Sequence, residues 1–393
     1  MIKRIVMVVG GVETLEYFSF QMGKTFEKEG YPVYYYDLKN EAESTRRLRK
    51  FVRIRETVLI TFNFEGLSKE SGVYSETRGY IWDEYQMPCF NIAVDHPYYY
   101  HKRLEDLPDK YYHISIDKNH VKYFERFYPE YNHAGFLPLA GTVLQEEEAQ
   151  GDGAEADIDV ILTGNYTPLS FSEKYIHRMN GEYAAFYQGI IDELIEHPDR
   201  TLEDVAAAHC KEELGDISDG DFRLVMHNMI FIDLYIRSYW RGQVVKTLVD
   251  AGVVVDVFGK GWEELKCQRP ENLHIHPMTT SLVCLQQIKR AKVSLNVMPW
   301  FKDGVHDRVF NSILNGTVSV TDKSRYLCQE LPEGQGVCYY DLENLDKLPE
   351  LVDELLKKPD KRQGIVENGM DKARTCHTWE SRARQIIDYF IDM

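Results

Sequence analysis

The densest group of residues able to do chemistry lies at positions 296–324, which read NVMPWFKDGVHDRVFNSILNGTVSVTDKS. The pattern predicts a strand, a loop, a helix, a glycine turn and a second strand, with the helix N-terminus at Gly304–Val305. Free backbone amides and the positive end of the helix dipole favour a bound anion such as a diphosphate. Gly304 allows the backbone a close approach, while His306 and Arg308 add hydrogen-bond donors and Arg308 adds a permanent charge.

Two acceptor groups accompany this predicted anion site. Asp303 stands directly before Gly304, and Asn311 follows Asp303 by eight positions, about two helical turns along on a similar face. Both side chains offer oxygen acceptors to the hydroxyls of a sugar or a ribose. The alternative interpretation is an ordinary helix start, with a solvated acidic cap and surface polar residues.

Short apolar or β-branched runs alternate with helix-length segments, which predicts an α/β protein with parallel sheets covered by helices. The runs are almost continuously apolar, as expected for strands that are buried on both faces. A first series of strands is predicted at 4–11, 32–38, 57–63, 89–96, 111–117 and 133–139. A second series is predicted at 158–165, 253–261, 272–277, 292–299, 317–322 and 336–341.

An acidic stretch with small residues at 145–157 is typical of an exposed linker, because it has nothing to bury. It separates a Rossmann-like domain at 1–144 from a second Rossmann-like domain at 158–376. Helical periodicity without a strand signal predicts a helical insertion in the second domain, at about 171–236. A last helix is expected at 377–393.

The segment around Asp303 resembles the signature of GT-B glycosyltransferases of the group 1 type, in particular the branch that includes spore-maturation (spore-coat) glycosyltransferases. In that signature an acidic residue precedes a glycine, a glutamate follows eight positions after the acid, and a small-residue turn leads into a strand. Asp303-Gly304 matches the first element, Asn311 stands where the glutamate is usual, and Asn315-Gly316 makes the turn. The resemblance implies a GT-B fold, in which two Rossmann-like domains face each other and the C-terminal helix crosses back to the N-terminal domain.

Three further segments resemble elements of the same family. VFGKGW at 257–262 is similar to its strand-to-loop element, HTWESRARQII at 377–387 to its closing helix, and LTGN at 162–165 to its opening strand. The resemblance implies that a nucleotide-sugar donor is bound by Gly164, Asn165, Gly259, Lys260, Gly261, Trp262, Asp303, Gly304, Val305, His306 and Asn311. For Gly259–Trp262 the alternative is a strand-ending turn with a packed indole.

The N-terminal domain offers the segment VDHPYYYH at 94–101, at the end of a predicted strand that Pro97 stops. The resemblance implies that this domain binds the acceptor, so Asp95 or His96 is a candidate base or positioning group for an acceptor hydroxyl. A strand terminus with a hydrogen-bonded core histidine is the alternative. The acceptor side is further expected to include Gly11, Glu13 as a second candidate base, and Tyr98.

Charge and cysteine content limit the classes of partner. The formal net charge of −17 argues against broad binding of nucleic-acid backbones. The seven cysteines contain no C-x-x-C pair, which favours a reducing cytoplasm over a disulfide framework or structural zinc. No apolar run has the length of a membrane span, and the N-terminal MIKRIVMVVGG is interpreted as a first strand rather than a signal peptide.

Other motifs support alternative interpretations. Gly10-Gly11 fits a dinucleotide-binding turn only poorly, since the third glycine is missing. His274 and His276 share one strand face without a visible third metal ligand. Arg237 and Arg241 lie one helical turn apart and form either a solvated face or a phosphate contact.

The predicted function is transfer of a sugar from a nucleoside-diphosphate donor to a hydroxyl of a glycan, protein or cell-envelope acceptor. Arg308 and His306, with Lys260 as a further candidate, are the groups expected to stabilise charge on the departing diphosphate, so neither a metal nor a cofactor is expected. Two alternatives stay open. The chain could be a nucleotide-sugar epimerase, or a nucleotide- or glycan-binding protein without turnover, which the missing carboxylate at Asn311 makes conceivable.

Overall fold

The computed structural model describes residues 1–148, 156–177 and 181–391. The chain divides into two compact units, Met1–Ala140 with His377–Met393, and Gly141–Cys376. The division therefore falls before Gly141 rather than after residue 144. The predicted linker at 145–157 lies partly outside the described residues, at 149–155.

The first unit contains a six-stranded parallel sheet in the order β2-β1-β3-β6-β7-β8. Its strands are β1 (Arg4–Val9), β2 (Val33–Asp37), β3 (Thr57–Phe62), β6 (Cys89–Ala93), β7 (Tyr111–Ser115) and β8 (Asn132–Phe136), with a short hairpin of β4 (Tyr74–Ser75) and β5 (Gly79–Tyr80). The helices between them are α1 (Glu13–Lys28), α2 (Glu41–Phe51), α3 (Ile81–Glu84) and α4 (Lys118–Phe127). The central strands β3 and β6 are buried along their whole length, which explains their unbroken apolar runs.

The second unit repeats this architecture, with a parallel sheet in the order β11-β10-β9-β12-β13-β14. Its strands are β9 (Ile158–Thr163), β10 (Val255–Phe258), β11 (Leu273–His276), β12 (Ala291–Asn296), β13 (Val318–Asp322) and β14 (Val337–Tyr340). The strand order reverses between β9 and β12, and ligands of such sheets bind at the carboxyl ends of the strands at this switch point.

Helices fill the long connection between β9 and β10. They are α5 (Ser170–His177), α6 (Gly181–Glu196), α7 (Leu202–Leu214), α8 (Asp219–Asn228) and α9 (Ile230–Asp250). Helix α9 delivers the chain to β10 and carries both Arg237 and Arg241. The remaining helices of this unit are α10 (Ser281–Lys289), α11 (Asp307–Leu314), α12 (Arg325–Glu330), α13 (Leu348–Lys357) and α14 (Pro359–Cys376).

Side-chain hydrogen bonds explain why residues 141–144 belong to the second unit. The amide of Thr142 donates to Asn311 Oδ1 at 2.9 Å, and the amide of Leu144 donates to Asn315 Oδ1 at 3.0 Å. Asn315 Nδ2 donates in return to the Thr142 carbonyl at 2.8 Å. The segment is thereby fixed along helix α11, which the sequence pattern alone does not reveal.

The last helix, α15 (Trp379–Ile391), belongs to the first unit. The Trp379 ring packs against Phe18 of α1 and Phe62 of β3, with centroid distances of 4.3 and 5.9 Å. Arg382 is buried and donates to the carbonyl of Pro138 at 2.6 Å. Among the described residues, no helix has the length and apolar character needed to cross a membrane.

Candidate functional site

Arg308 joins the ends of the two strands at the switch point of the second unit. Its Nε donates to Asn296 Oδ1 at 2.9 Å, and its Nη1 donates to the Thr163 carbonyl at 2.8 Å. Gly164, which follows β9, has φ +152°, and a Cβ there would lie 3.1 Å from Arg308 Nη1. A glycine is therefore required for the guanidinium group to approach the end of β9.

Two arginines of helix α9 lie beside the same strand ends. The Cζ atoms of Arg237 and Arg241 are 4.7 and 5.4 Å from the centroid of the Trp300 ring, within cation–π range. Arg241 Nη1 donates to the carbonyl of Asn165, which follows Gly164. Arg241 Nε is buried and has no hydrogen-bond partner among the described residues. The sequence is compatible with either a solvated face or a phosphate contact for these two arginines. The structure places them at the switch point.

The mutual repulsion of these cations has an electrostatic consequence. Burial, together with the positive charges of Arg308 and Arg237, lowers the pKa of Arg241 to about 9. The guanidinium group remains protonated at neutral pH, so three positive charges share the site, and Asp233 pairs with Arg237 at 2.6 Å. A bound anion would reduce this repulsion, and one of its oxygens could accept a hydrogen bond from Arg241 Nε.

Helix α11 begins at Asp307, so the predicted N-terminus at Gly304–Val305 is wrong by two to three residues. The carbonyl of Gly304 accepts from Ser324 Oγ at 2.6 Å, and Val305 is fully buried, which holds this stretch in the loop. His306 is the N-cap residue, and its Nδ1 accepts from the Arg308 amide at 3.4 Å. One backbone donor of the helix is thus already used by the chain itself.

His306 does not add charge to the site at neutral pH. Burial and the neighbouring Arg308 lower the pKa of the His306 imidazole to about 4. Its Nδ1 lies 2.5 Å from Asp307 Oδ1. The positive charge near the start of α11 therefore comes from the arginines.

Asp303 and Asn311 occupy different surroundings. Asp303 is buried, with one carboxylate oxygen 3.9 Å from Arg325 Nε. Asn311 uses its carbonyl oxygen for Thr142 and donates from Nδ2 to Asp307 at 2.9 Å. Asn311 therefore supports the loop structure, and the contacts of both residues with sugar or ribose hydroxyls stay predictions.

The loops after β9 and β10 are bonded to each other. Trp262 Nε1 donates to the Gly164 carbonyl at 2.8 Å, and the Lys260 amide donates to Asn165 Oδ1 at 2.9 Å. A Cβ at Gly259 would lie 2.3 Å from the Gly164 carbonyl oxygen, and Gly261 has φ +84°. Trp262 is fully buried, in agreement with the packed-indole interpretation, whereas Lys260 is exposed.

The predicted acceptor residues lie at the carboxyl edge of the first sheet. Asp95 Oδ2 accepts from Tyr100 Oη at 3.2 Å and lies 3.4 Å from Asn63 Nδ2. His96 is only 4% exposed and stacks on Tyr98 with a centroid distance of 3.9 Å. Of the two candidate bases, Asp95 is therefore the more accessible, and His96 has the surroundings of a core histidine.

Carboxylates of the chain itself occupy the glycine turn after β1. The amide of Gly10 donates to Glu16 Oε2 at 2.7 Å, and the amide of Val12 donates to Glu65 Oε1 at 2.8 Å. A Cβ at Gly11 would lie 2.0 Å from Glu65 Oε1. These bonds occupy two amides of the turn with acidic side chains, which disfavours the dinucleotide interpretation. Glu13 is exposed in the first turn of α1.

Sequence reasoning missed Glu65 in this region. The preceding residues Asn63 and Phe64 have φ of +46° and +65°, which is uncommon for residues other than glycine. Burial is the main cause that raises the pKa of the Glu65 carboxyl. The sequence signal for this turn is Asn63, directly after a buried strand, because asparagine tolerates the left-handed backbone region.

The described residues contain no group of three or more histidine, cysteine or acidic side chains arranged to hold a metal ion. His274 and His276 both lie near Asp256 Oδ1, at 3.6 and 2.6 Å. The two histidines are thus ion-pair or hydrogen-bond partners of one aspartate.

Comparison with known proteins gives one family match. Residues 239–388 match the model of a family described as glycosyl transferase-like, and this range contains Arg241, Trp300 and Arg308. No curated protein matches the chain.

Solved structures of similar fold cover nearly the whole chain. They include sucrose-phosphate synthase from Thermosynechococcus elongatus, with 12% identity, coverage of 99% of this chain and 98% of that chain, and a TM-score of 0.51. An α-glucosyltransferase solved with UDP and a 13-mer DNA has 11% identity, covers 99% of both chains and has a TM-score of 0.57. HepE from Anabaena, solved with UDP-glucose, has 8% identity, coverage of 99% and 100%, and a TM-score of 0.53.

At such low identity these neighbours establish the fold. The predicted fold class is confirmed, since two Rossmann-like units with parallel sheets match GT-B structures. The glycosyl transferase-like match covers Arg241 and Arg308 and favours glycosyl transfer among the three candidate functions. Residues 239–388 are therefore glycosyl transferase-like, in a chain whose fold matches GT-B structures.

Proposed function

We propose that the chain transfers a sugar from a nucleoside-diphosphate donor, bound in the second unit, to a hydroxyl of an acceptor. The observation that carries this proposal is the cluster of Arg237, Arg241 and Arg308 at the switch point of a Rossmann-like sheet, with Trp300 against the first two. A diphosphate supplies both the negative charge and the oxygen acceptors that this cluster lacks.

The arginines would act mainly on the leaving group. As the bond between the anomeric carbon and the distal phosphate oxygen breaks, the electron pair stays with that oxygen, and fixed cations stabilise the growing charge. We propose that the arginines perform this role without a divalent metal. The α-glucosyltransferase was solved with UDP and HepE with UDP-glucose, so a uridine nucleotide is the first donor to test.

We place the acceptor on the first unit, at the carboxyl edge of its sheet. Asp95 is the better candidate to accept the hydroxyl proton, because His96 is buried among aromatic rings. A glycan, a protein or a cell-envelope component is the proposed acceptor class. The proposed assignment to the spore-maturation branch rests on the motifs, and the proposed cytoplasmic location rests on seven cysteines without a C-x-x-C pair.

The direct test replaces Arg241 by glutamine and measures UDP binding by calorimetry and donor hydrolysis in the presence of EDTA. Arg241 is preferable to Arg308, whose bonds to Asn296 and Thr163 also support the fold. Loss of one charge-assisted contact is expected to weaken UDP binding by about 10- to 100-fold. Arg290→Gln is the matched control, since Arg290 pairs with Asp157 on the surface.

Three results would count against the proposal. Donor binding is contradicted if the wild-type chain binds neither uridine diphosphate nor guanosine diphosphate nor deoxythymidine diphosphate. Equal UDP affinity of Arg241→Gln and Arg290→Gln contradicts the role of the arginine cluster. Activity abolished by EDTA and restored by a divalent metal contradicts metal independence.

A further inference from the structure

Helix α2 and the turn that follows it are strongly basic in an otherwise acidic chain. Residues 43–55 contain six basic side chains and one acidic side chain, whereas the whole chain has a formal net charge of −17. The rest of the chain is therefore even more acidic than this total indicates. The basic residues are Arg46, Arg47, Arg49, Lys50, Arg53 and Arg55, and all six are exposed.

The buried side of α2 explains why its basic residues share one face. Leu48 is fully buried. Arg46 and Lys50, two positions to either side of Leu48, therefore project from the opposite face of the helix. We call the exposed surface of residues 46–55 the basic face.

The basic face lies at the amino edge of the first sheet. Helix α2 begins after the carboxyl end of β2 and ends before the amino end of β3. At the same edge, Arg4 begins β1, and its Cζ atom lies 5.2 Å from the ring centroid of Phe51 of α2. Asp95, the proposed acceptor residue, follows β6 at the carboxyl edge. The basic face is therefore separate from the proposed catalytic site of this unit.

Most cations of the basic face lack a counter-ion on the protein. Arg46 and Arg47 share the single carboxylate of Glu43, at 2.6 and 2.5 Å. The other four basic side chains have no carboxylate within ion-pair distance among the described residues. Arg53 donates to backbone carbonyls of its own segment, and Arg55 donates to the amide oxygen of Gln86 at 2.6 Å, so neither charge is neutralised.

An exposed isoleucine stands between two of these cations. Ile54 is 58% exposed, with Arg53 before it and Arg55 after it. The Glu56 amide donates to the Arg53 carbonyl at 3.1 Å, which closes the turn, and Arg55 has φ +61°, a conformation that favours glycine. Surfaces that bind at the headgroup level of a bilayer combine an apolar side chain with surrounding Lys and Arg in this way.

A small groove adjoins the basic face. It has a volume of about 120 Å³ and is lined by Arg49 and by residues of the β4–β5 hairpin. Its charged lining residues are Arg49, Arg78 and Glu84, and Arg78 Nη1 lies 3.9 Å from Glu84 Oε1. The lining therefore has a net positive charge. The groove is smaller than a typical small-molecule site and suits a single phosphate group.

We propose that the basic face docks the chain on the surface of a bilayer that contains anionic phospholipids. The cations contact headgroup phosphates, and Ile54 enters the headgroup region. Because the rest of the chain is acidic, attraction to such a bilayer orients the molecule with this face toward it. A soluble polyanion would use the charges but would leave the exposure of Ile54 without a role. The inference goes beyond the proposed function and does not depend on it.

The test measures partition of the purified chain onto vesicles by cosedimentation, without substrate. One set of vesicles is phosphatidylcholine, and the other is an equal mixture of phosphatidylcholine and phosphatidylglycerol. The wild-type chain is expected to bind only the mixed vesicles, and to dissociate as sodium chloride is raised from about 0.05 M to about 0.5 M.

Two variants separate the charges from the apolar side chain. Arg49→Gln with Lys50→Gln is expected to weaken partition by about 10- to 30-fold, because each cation near an anionic surface contributes to binding. Ile54→Ser is expected to weaken it by about 5- to 10-fold, and Ile54→Leu to preserve it. Lys289→Gln with Arg374→Gln is the matched control, since it removes one exposed lysine and one exposed arginine from other helices.

Several results would overturn the inference. The first is equal binding of the wild-type chain to both kinds of vesicle, and the second is equal partition of the Arg49–Lys50 variant and its control. Full vesicle affinity of Ile54→Ser would assign the face to polyanions in general rather than to a bilayer. Absence of vesicle binding, together with salt-sensitive dimers in sedimentation velocity, would assign it to a second, acidic copy of the chain.

Discussion

At the scale of single residues, the donor site depends on where the backbone leaves room for a guanidinium group. Arg308 reaches the end of β9 only because Gly164 has no side chain and adopts φ +152°. Arg241 then bonds to the next carbonyl, at Asn165. The position of the arginines is therefore coupled to one glycine.

Replacing Gly164 by alanine is expected to destabilise the chain by about 1–3 kcal/mol, because the backbone conformation is unfavourable for alanine. The added Cβ should also displace Arg308 and weaken UDP binding. Chemical denaturation and calorimetry measure the two effects. Gly364→Ala is the control, because Gly364 lies in helix α14 with open space around it, and alanine there is expected to stabilise by about 0.5–1 kcal/mol. Unchanged UDP affinity in Gly164→Ala would contradict the coupling.

At the scale of elements, helix α15 completes the first unit although it comes last in the chain. Trp379 is 3% exposed between Phe18 and Phe62. Trp379→Ala is expected to lower the unfolding free energy by about 3–5 kcal/mol, since it leaves a large cavity. Ile391→Ala in the same helix should change it by less than about 0.5 kcal/mol, because Ile391 is 61% exposed. Urea unfolding followed by far-ultraviolet circular dichroism, which does not depend on the removed tryptophan, measures both free energies. Equal effects of the two substitutions would show that α15 is not anchored through Trp379.

The sequence predicts the elements of both sheets better than it predicts the site. All twelve predicted strands occur, because strands buried on both faces leave unbroken apolar runs. The start of α11 was misplaced, since the hydrogen bond from Ser324 to Gly304 joins residues distant in sequence. The hairpin of β4 and β5 was missed because two-residue strands have no periodicity. The sequence left Arg241 open between a solvated face and a phosphate contact, because only the fold brings α9 next to Arg308.

At the scale of the whole molecule, buried titratable groups give the stability opposing dependences on pH. Burial lowers the pKa of His113, and of His306 to about 4, so the unfolded chain binds more protons below about pH 6.5 and acid favours unfolding. Asp322 has the opposite effect. Its pKa is raised from 3.8 to about 7, so between these values the folded chain holds a proton that the unfolded chain has lost.

The contribution of Asp322 can be isolated by comparing the wild-type chain with Asp322→Asn. Between pH 5 and 7 the group lowers wild-type stability by about 1.4 kcal/mol for each unit that pH rises, and asparagine removes this dependence. The unfolding free energy of Asp322→Asn, relative to wild type, should therefore increase from pH 5 to 7 and level off above pH 7. Urea unfolding of both proteins at pH 5, 6, 7 and 8 measures the difference. The histidine contributions cancel in this comparison, because both proteins contain them, so a difference that does not vary with pH would mean that the Asp322 carboxyl is ionised in the folded chain throughout the range.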